Sequence, residues 1–519
     1  MWQGDWAKGP AGGYGTKETD WRGQYDVWDH KYGQIAENTK WTADFAKNEG
    51  TVVYTIRQGI KWQKVPNSPT SQKINGRELT ADDVVVYLQR MITEPTSYIY
   101  RTNLDLRKAV ITKTGPWEVT VTVPLDALIT AVFRFGDVSF VQPQELKGLD
   151  LTKAVNVVGS GPYILAEYVP ASTAIMTKNP EFWMKNTVGP GKGDQLPYIQ
   201  TVQFMVIPDL STRQAAMRTG KVDQMGGWSY EDAGALRKQV KGLVETTSTA
   251  SLPTGSPESI DFPSDTAPYT DVRVRRALFM ATDLNAINDG LYHGLGQILT
   301  WPFTKESGYE DLYLGLDDPE MPASVKELYT YNPEKAKQLL KEAGFPNGFK
   351  TKALMTSTQV DFYSVIKDQW AKVGVTLELD VRESATKAQI LNSGKWDQIA
   401  DGGVAAVSAW HTTPTLTGTP SQPANTSRIF DARIDQALVD IRTTILKEGM
   451  KPGMRKMKDL LKYTLDQAYA IPVPYVPTTN FWWPWLKAYS GEVSVGYFDG
   501  PNWIQWAWID QDLRNQLGH

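Results

Sequence analysis

Cysteine is absent from the 519 residues. That excludes a disulfide scaffold, cysteine-ligated zinc, iron–sulfur clusters and cysteine nucleophiles. Histidine is scarce: His30, His293, His411 and His519 are scattered and include no His-Glu-x-x-His pair, so no metal site is expected. No apolar run reaches the roughly 18 residues that a membrane-spanning helix needs. The opening MWQGDWAKGP lacks a basic stretch followed by an apolar one, so no secretory signal is read in it. Charge of one sign is missing too. With 54 basic and 58 acidic residues the net charge is −4, which provides no basic field for nucleic acid or an anionic membrane.

The usual catalytic signatures are equally sparse. Gly12-Gly13-Tyr14-Gly15-Thr16-Lys17 lacks the Gly-Lys-Ser/Thr ending of a phosphate-cradling loop and reads as a surface turn. Gly159-Ser160-Gly161 has the wrong spacing for a nucleophile elbow. Ser408 and His411 are near enough in sequence to be imagined as nucleophile and base, but sequence proximity is a poor guide to triad geometry; a polar loop with a solvated or ligand-facing histidine is the simpler reading. The pair Asp82-Asp83 suits the positive end of a helix better than glycosidase chemistry.

What the sequence does contain is an ordinary globular balance, 41% hydrophobic and 22% charged, over a length that calls for at least two lobes. Asn332 can cap a helix that opens on Pro333 and closes at Gly344. A second helix begins at Thr80, with Val84, Val85, Leu88 and Met91 on one face, and a third covers Val272 to Thr282. Val52–Ile56, Val119–Val123, Thr201–Ile207 and Val375–Leu379 read as strands, and the helix Asp361–Lys372 followed by Gly374 and a strand is an α-turn-β step. The clusters 188–193 and Pro253–Pro268 read as loops or crossings. Tryptophan is unusually abundant, at 19 residues beside 23 tyrosines. Rings of this kind fill cores or stack on ligands.

Several segments together resemble the extracellular solute-binding protein family 5, the peptide, nickel and oligosaccharide binders of ABC importers. Tyr54-Thr55-Ile56-Arg57-Gln58-Gly59-Ile60-Lys61-Trp62 and Asn75-Gly76-Arg77-Glu78-Leu79-Thr80-Ala81-Asp82-Asp83-Val84-Val85 are similar to its signature. Gly159-Ser160-Gly161-Pro162-Tyr163, Asn179-Pro180-Glu181-Phe182-Trp183, the run from Asp271 to Leu278, Tyr331–Phe345 and Ile471-Pro472-Val473-Pro474-Tyr475 follow in family order. Family members normally carry a further strand and turn before the segment matching Trp2–Trp6, so the first lobe reads as starting late, without its signal.

The resemblance implies an α/β, two-lobed periplasmic-binding-protein fold, with an extra subdomain in lobe one and hinge closure over an interlobe cleft. Lobe one is expected at residues 1–257 and 478–519, and lobe two at 258–477. The implied function is delivery of a peptide- or oligosaccharide-sized ligand to the permease of an ABC importer, by a monomer without cofactor, in the periplasm or outside the cell, with or without a lipid anchor. The alternative is an ester or glycoside hydrolase using Ser408 and His411. In peptide binders of the family an Asp holds the ligand's α-ammonium; the corresponding stretch is Gly402–His411, where no acid falls at that place. Trp410 offers a ring for stacking instead. Ser408, Trp410 and His411, with Trp228, Tyr230, Trp482, Trp483 and Trp485, are therefore the candidate ligand contacts, although the tryptophans at 482–485 suit the packing of a seam equally well. Trp506 and Trp508 alternate as in a strand with one packed face and are read as core.

Overall fold

A computed structural model describes residues 1–9, 11, 31–151, 153–247, 258–303, 311–394, 396–403, 409–416, 424–492, 495 and 500–519, the side chains at 403, 409, 411, 412 and 414 excepted. The segment 12–17 and Ser408 lie outside these residues. The chain divides into two compact units, Met1–Ser248 with Thr478–His519, and Thr249–Pro477. No helix among the described residues is long and apolar enough to cross a membrane.

The first unit holds a four-stranded antiparallel sheet in the order Ala36–Asp44, Glu49–Ile56, Glu118–Pro124, Val110–Gly115. Strict alternation buries Val52, Tyr54 and Ile56 on one face, together with Val119, Val121 and Val123. Helix Leu128–Asp137 lies close against this sheet, because Gly50 has no side chain: a Cβ there would sit 2.7 Å from that of Leu128. Helix Ala81–Thr93 starts where Thr80 and Asp83 form a reciprocal capping box. Two further sheets of this unit are antiparallel: Tyr163–Val169, Thr173–Lys178 and Thr201–Met205, and a second in which Thr479–Trp482 runs between Gln224–Trp228 and Val244–Thr247.

The family-like motif at 75–85 is explained by one buried carboxylate. Asp83 accepts from Arg77 at 2.8 and 2.6 Å, from the backbone of Thr80 and Gln144 at 3.0 Å each, and from the Trp62 indole at 3.3 Å. Arg77 also grips Glu145 at 2.8 and 2.6 Å. Pairing with Asp83 raises the guanidinium's proton affinity, and pairing with Arg77 lowers that of the Glu145 carboxyl.

The second unit is built on a mixed sheet in the order Thr376–Val381, Lys350–Met355, Ile399–Gly403, Glu258–Asp261, Ala470–Pro472. The first three strands are parallel, joined through helices Val360–Ala371 and Ser384–Ser393; Glu258–Asp261 runs antiparallel to both of its neighbours. Parallel strands need such helical crossovers. Asn332 caps its helix as expected, accepting from Lys335 N at 3.0 Å, and Gly344 closes it at φ +92°.

Two readings are corrected here. The stretch Pro253–Pro268 is not all loop, for Glu258–Asp261 is a buried inner strand of the second unit's sheet. Its short length, with prolines close on either side in sequence, hid it. Residues 503–508 do not form one strand. A 3-10 turn covers Gly500–Gln505, and only Trp508–Ile509 is extended, so Trp506 is buried while Trp508 is 43% exposed.

Candidate functional site

Four of the candidate tryptophans are interior to the first unit. Thr479–Trp482 is the central strand of its sheet and is buried on both faces: Phe481 enters one core with Trp228, Trp483 and Trp485, and Trp482 another with Trp6, Trp503 and Trp506. Trp483 and Trp485 stack on each other at 4.5 Å, and the His519 ring lies 4.6 and 5.1 Å from them. Their indole nitrogens donate to Met217 O at 3.0 Å and to the Asp223 carboxylate at 2.7 Å. Trp228 donates to Met225 O at 3.1 Å and lies under the Arg213 guanidinium, 4.7 Å from its ring centre. Trp482 meets Tyr489 edge-on at 5.0 Å. The expectation that these rings offer faces to a ligand is therefore corrected, since packing and internal hydrogen bonds already occupy them.

Tyr230 differs. It opens the helix Tyr230–Gln239, which Ser229 caps by accepting from Asp232 N at 3.1 Å, and its side chain is 53% exposed.

In the second unit, Trp410 belongs to helix Ala409–Leu416 and is only 4% exposed, with the Arg442 guanidinium 5.2 Å from its ring centre. The open stacking face read for it is thus corrected; a cation already faces the ring. Ser408 and the His411 side chain lie outside the described residues. Beside this helix in sequence, the strand Ile399–Gly403 carries Asp401, one residue before the stretch Gly402–His411 in which the resemblance looks for an ammonium partner. Its carboxylate accepts a hydrogen bond from Lys387, on helix Ser384–Ser393, in a nearly buried ion pair.

Asp261, on the neighbouring strand, is completely buried and accepts from Ser259 Oγ at 2.6 Å and from the Thr426 hydroxyl. Burial pushes its carboxyl up to about 7; the two hydroxyl donors oppose the rise, and the charge of Asp401 adds to it. Burial likewise pushes Asp401 up to about 6, against the pull of Lys387. Among the described residues the two carboxyls have one cation nearby, and Asp401 Oδ1 has no hydrogen-bond partner. The sequence reading missed this cluster. Its signal was an acid in each of two short β runs, Ser259-Ile260-Asp261 and Ile399-Ala400-Asp401, where burial makes a lone charge costly.

Comparison with known proteins places this geometry. The glutathione-binding protein of Salmonella typhimurium is 24% identical over 65% of the chain, and the chain spans 59% of that relative's length. Heme-binding protein A of Haemophilus influenzae is 25% identical over 62% of the chain and 57% of the relative. The periplasmic binding protein DppA of Helicobacter pylori, solved with a bound peptide, superposes with a TM-score of 0.71 over 93% of this chain and 90% of its own, at 19% identity, and so shares the fold. The model for bacterial extracellular solute-binding proteins, family 5, matches residues 32–424, a span that takes in the Arg77–Asp83 motif, the Asp261 strand and helix Ala409–Leu416. On that match, the chain belongs to the bacterial extracellular solute-binding proteins, family 5.

Proposed function

We propose that this protein captures a peptide- or oligosaccharide-sized solute outside the cytoplasmic membrane and delivers it, chemically unchanged, to the permease of an ABC importer. The observation that carries this reading is the family match across residues 32–424, which runs through both α/β units. The names of its relatives support a solute of this size, since those proteins are described as binders of glutathione and heme, and the structural neighbour holds a peptide. The protein acts as a monomer in the periplasm or at the cell exterior, with or without a lipid anchor.

Among the candidate contacts, Tyr230 on the first unit and Ser408 and His411 on the second are the ones we assign to the solute. The stretch Gly402–His411 contains no acid to partner a peptide's α-ammonium, and Asp401 just before it is already paired with Lys387. An ammonium removed from water without such a partner costs several kcal/mol, so oligosaccharides compete with peptides as ligands.

A thermal-shift and tryptophan-fluorescence screen of di- to pentapeptides against cello-, xylo- and manno-oligosaccharides tests the proposal. At a hundredfold excess over its dissociation constant, a ligand that binds only the folded state adds about 2.7 kcal/mol of stability. One class should saturate and be recovered intact by mass spectrometry, and Tyr230→Ala should weaken it without altering the melting point of the free protein. Turnover of a chromogenic ester or glycoside that disappears in Ser408→Ala would instead establish the hydrolase reading.

A further inference from the structure

We propose that Asp261 is a positioning residue for helix Ala409–Leu416, its carboxylate meeting the chain both near the end of the strand before that helix and at Thr426 after it. On the near side, Gly402 is the next-to-last residue of strand Ile399–Gly403, which stays paired through Gly403. A Cβ at that glycine would lie 2.0 Å from Asp261 Oδ2, so only a residue without a side chain lets the strand pass the carboxylate. The return is at Thr426, whose buried hydroxyl donates to the same carboxylate across 165 positions of sequence. Between these two contacts lie Trp410 and two residues assigned above to the solute, so the inference deepens the proposed function and rests on it for its consequence. Its geometry needs no ligand.

A sheet of this kind has no need for an acid at this place, since the backbone pairs Asp261↔Ala400 and Asp261↔Ala470 are made whatever the side chain. What the carboxylate adds is two hydroxyl contacts, Ser259 within its own strand and Thr426 from outside the sheet. Other ties hold the return segment as well: Ser264 N donates to Ser427 O at 3.0 Å, and Arg428 pairs with Asp265 at 2.7 and 2.6 Å. Losing the Thr426 contact should therefore loosen the return locally rather than unfold the unit.

The tie is also poised to respond to pH. An ionised carboxylate accepts from both hydroxyls in charge-assisted bonds, whereas a protonated one gives up part of that acceptor capacity. The charged and titratable groups around it are Asp401 on the adjacent strand, Lys387 on helix Ser384–Ser393, Tyr363 on helix Val360–Ala371, and Glu258 on its own strand, which accepts from Gln359 at 3.0 Å. With its carboxyl pushed up to about 7, Asp261 changes charge near neutrality.

Hydrogen exchange on the ligand-free full chain tests the proposal independently of any solute. In Thr426→Val, amides of Ala409–Leu416 should exchange about tenfold faster at pH 8, while helices Val360–Ala371 and Ala432–Glu448 keep their rates. In the wild type, protection of Ala409–Leu416, corrected for intrinsic exchange chemistry, should rise between pH 6 and 8; in Asp261→Asn that rise should vanish. Unchanged protection of Ala409–Leu416 in Thr426→Val would overturn the proposal, as would a loss spread equally over all three helices or a wild-type profile flat in pH. A screen that finds no solute would leave these exchange results standing and would count against the functional reading alone.

Discussion

Asp83 and Asp261 are both completely buried aspartates, one in each unit, and they are held in opposite ways. Asp83 faces a bidentate guanidinium, two backbone N–H groups and an indole, so its negative charge is compensated on every side. Asp261 has two neutral hydroxyl donors and, among the described residues, only Lys387 as a nearby cation, which is bonded to Asp401 instead. Compensation by a bidentate cation and three further donors makes a structural joint, while under-compensation moves a carboxyl into the range where ordinary pH changes alter its charge.

The largest expected effect breaks the first of these joints. Asp83→Ala strands the Trp62 indole and the N–H groups of Thr80 and Gln144, and leaves Arg77 with Glu145 alone; removing one member of a buried pair costs about 3–5 kcal/mol. Urea denaturation should show that loss, and a change below 1 kcal/mol would mean that the family-like motif is not held together by this carboxylate.

The second contrast is in pH. The carboxyls of Asp261 and Asp401 bind protons more tightly in the folded protein than in the unfolded chain, where they titrate near 3.8. Between about pH 4 and 7 the folded state therefore holds more protons, and stability falls as pH rises. The stabilisation is complete below the unfolded value and is lost through about 6 and 7. A decline on the order of 2 kcal/mol is expected from pH 4.5 to 7.5, and Asp261→Asn should remove much of it. Thermal melts across that range sharpen the comparison, because Asp83→Asn should lower stability without removing the decline.

The smallest effect concerns a joint that is local in sequence. Asn332→Ala loses one cap of helix Pro333–Glu342 and should cost about 1 kcal/mol, read as a small shift of the denaturation midpoint.

The same division explains how much was legible from sequence. The helix at Asn332, the capping box at Thr80 and Asp83, and the strands near Val52, Val119 and Val375 were readable because the residues that decide them lie within a few positions of one another. The short strand Glu258–Asp261 was missed because its pairing partners, Ile399–Gly403 and Ala470–Pro472, are far away in sequence. The tryptophans were legible as a class but not in place: nothing in Phe481-Trp482-Trp483-Pro484-Trp485 reveals that its side chains enter two different cores, one on each face of the strand.

By itself, then, the sequence determined the α/β composition, the local caps and turns, and the ordered motifs of family 5, since each is a matter of neighbouring residues. Only the tertiary structure decided that Trp228, Trp482, Trp483 and Trp485 are core, that Tyr230 is exposed, and that Gly402 and Thr426 meet at the Asp261 carboxylate. Burial and long-range pairing depend on which distant segments pack together, and that is a property of the folded chain as a whole.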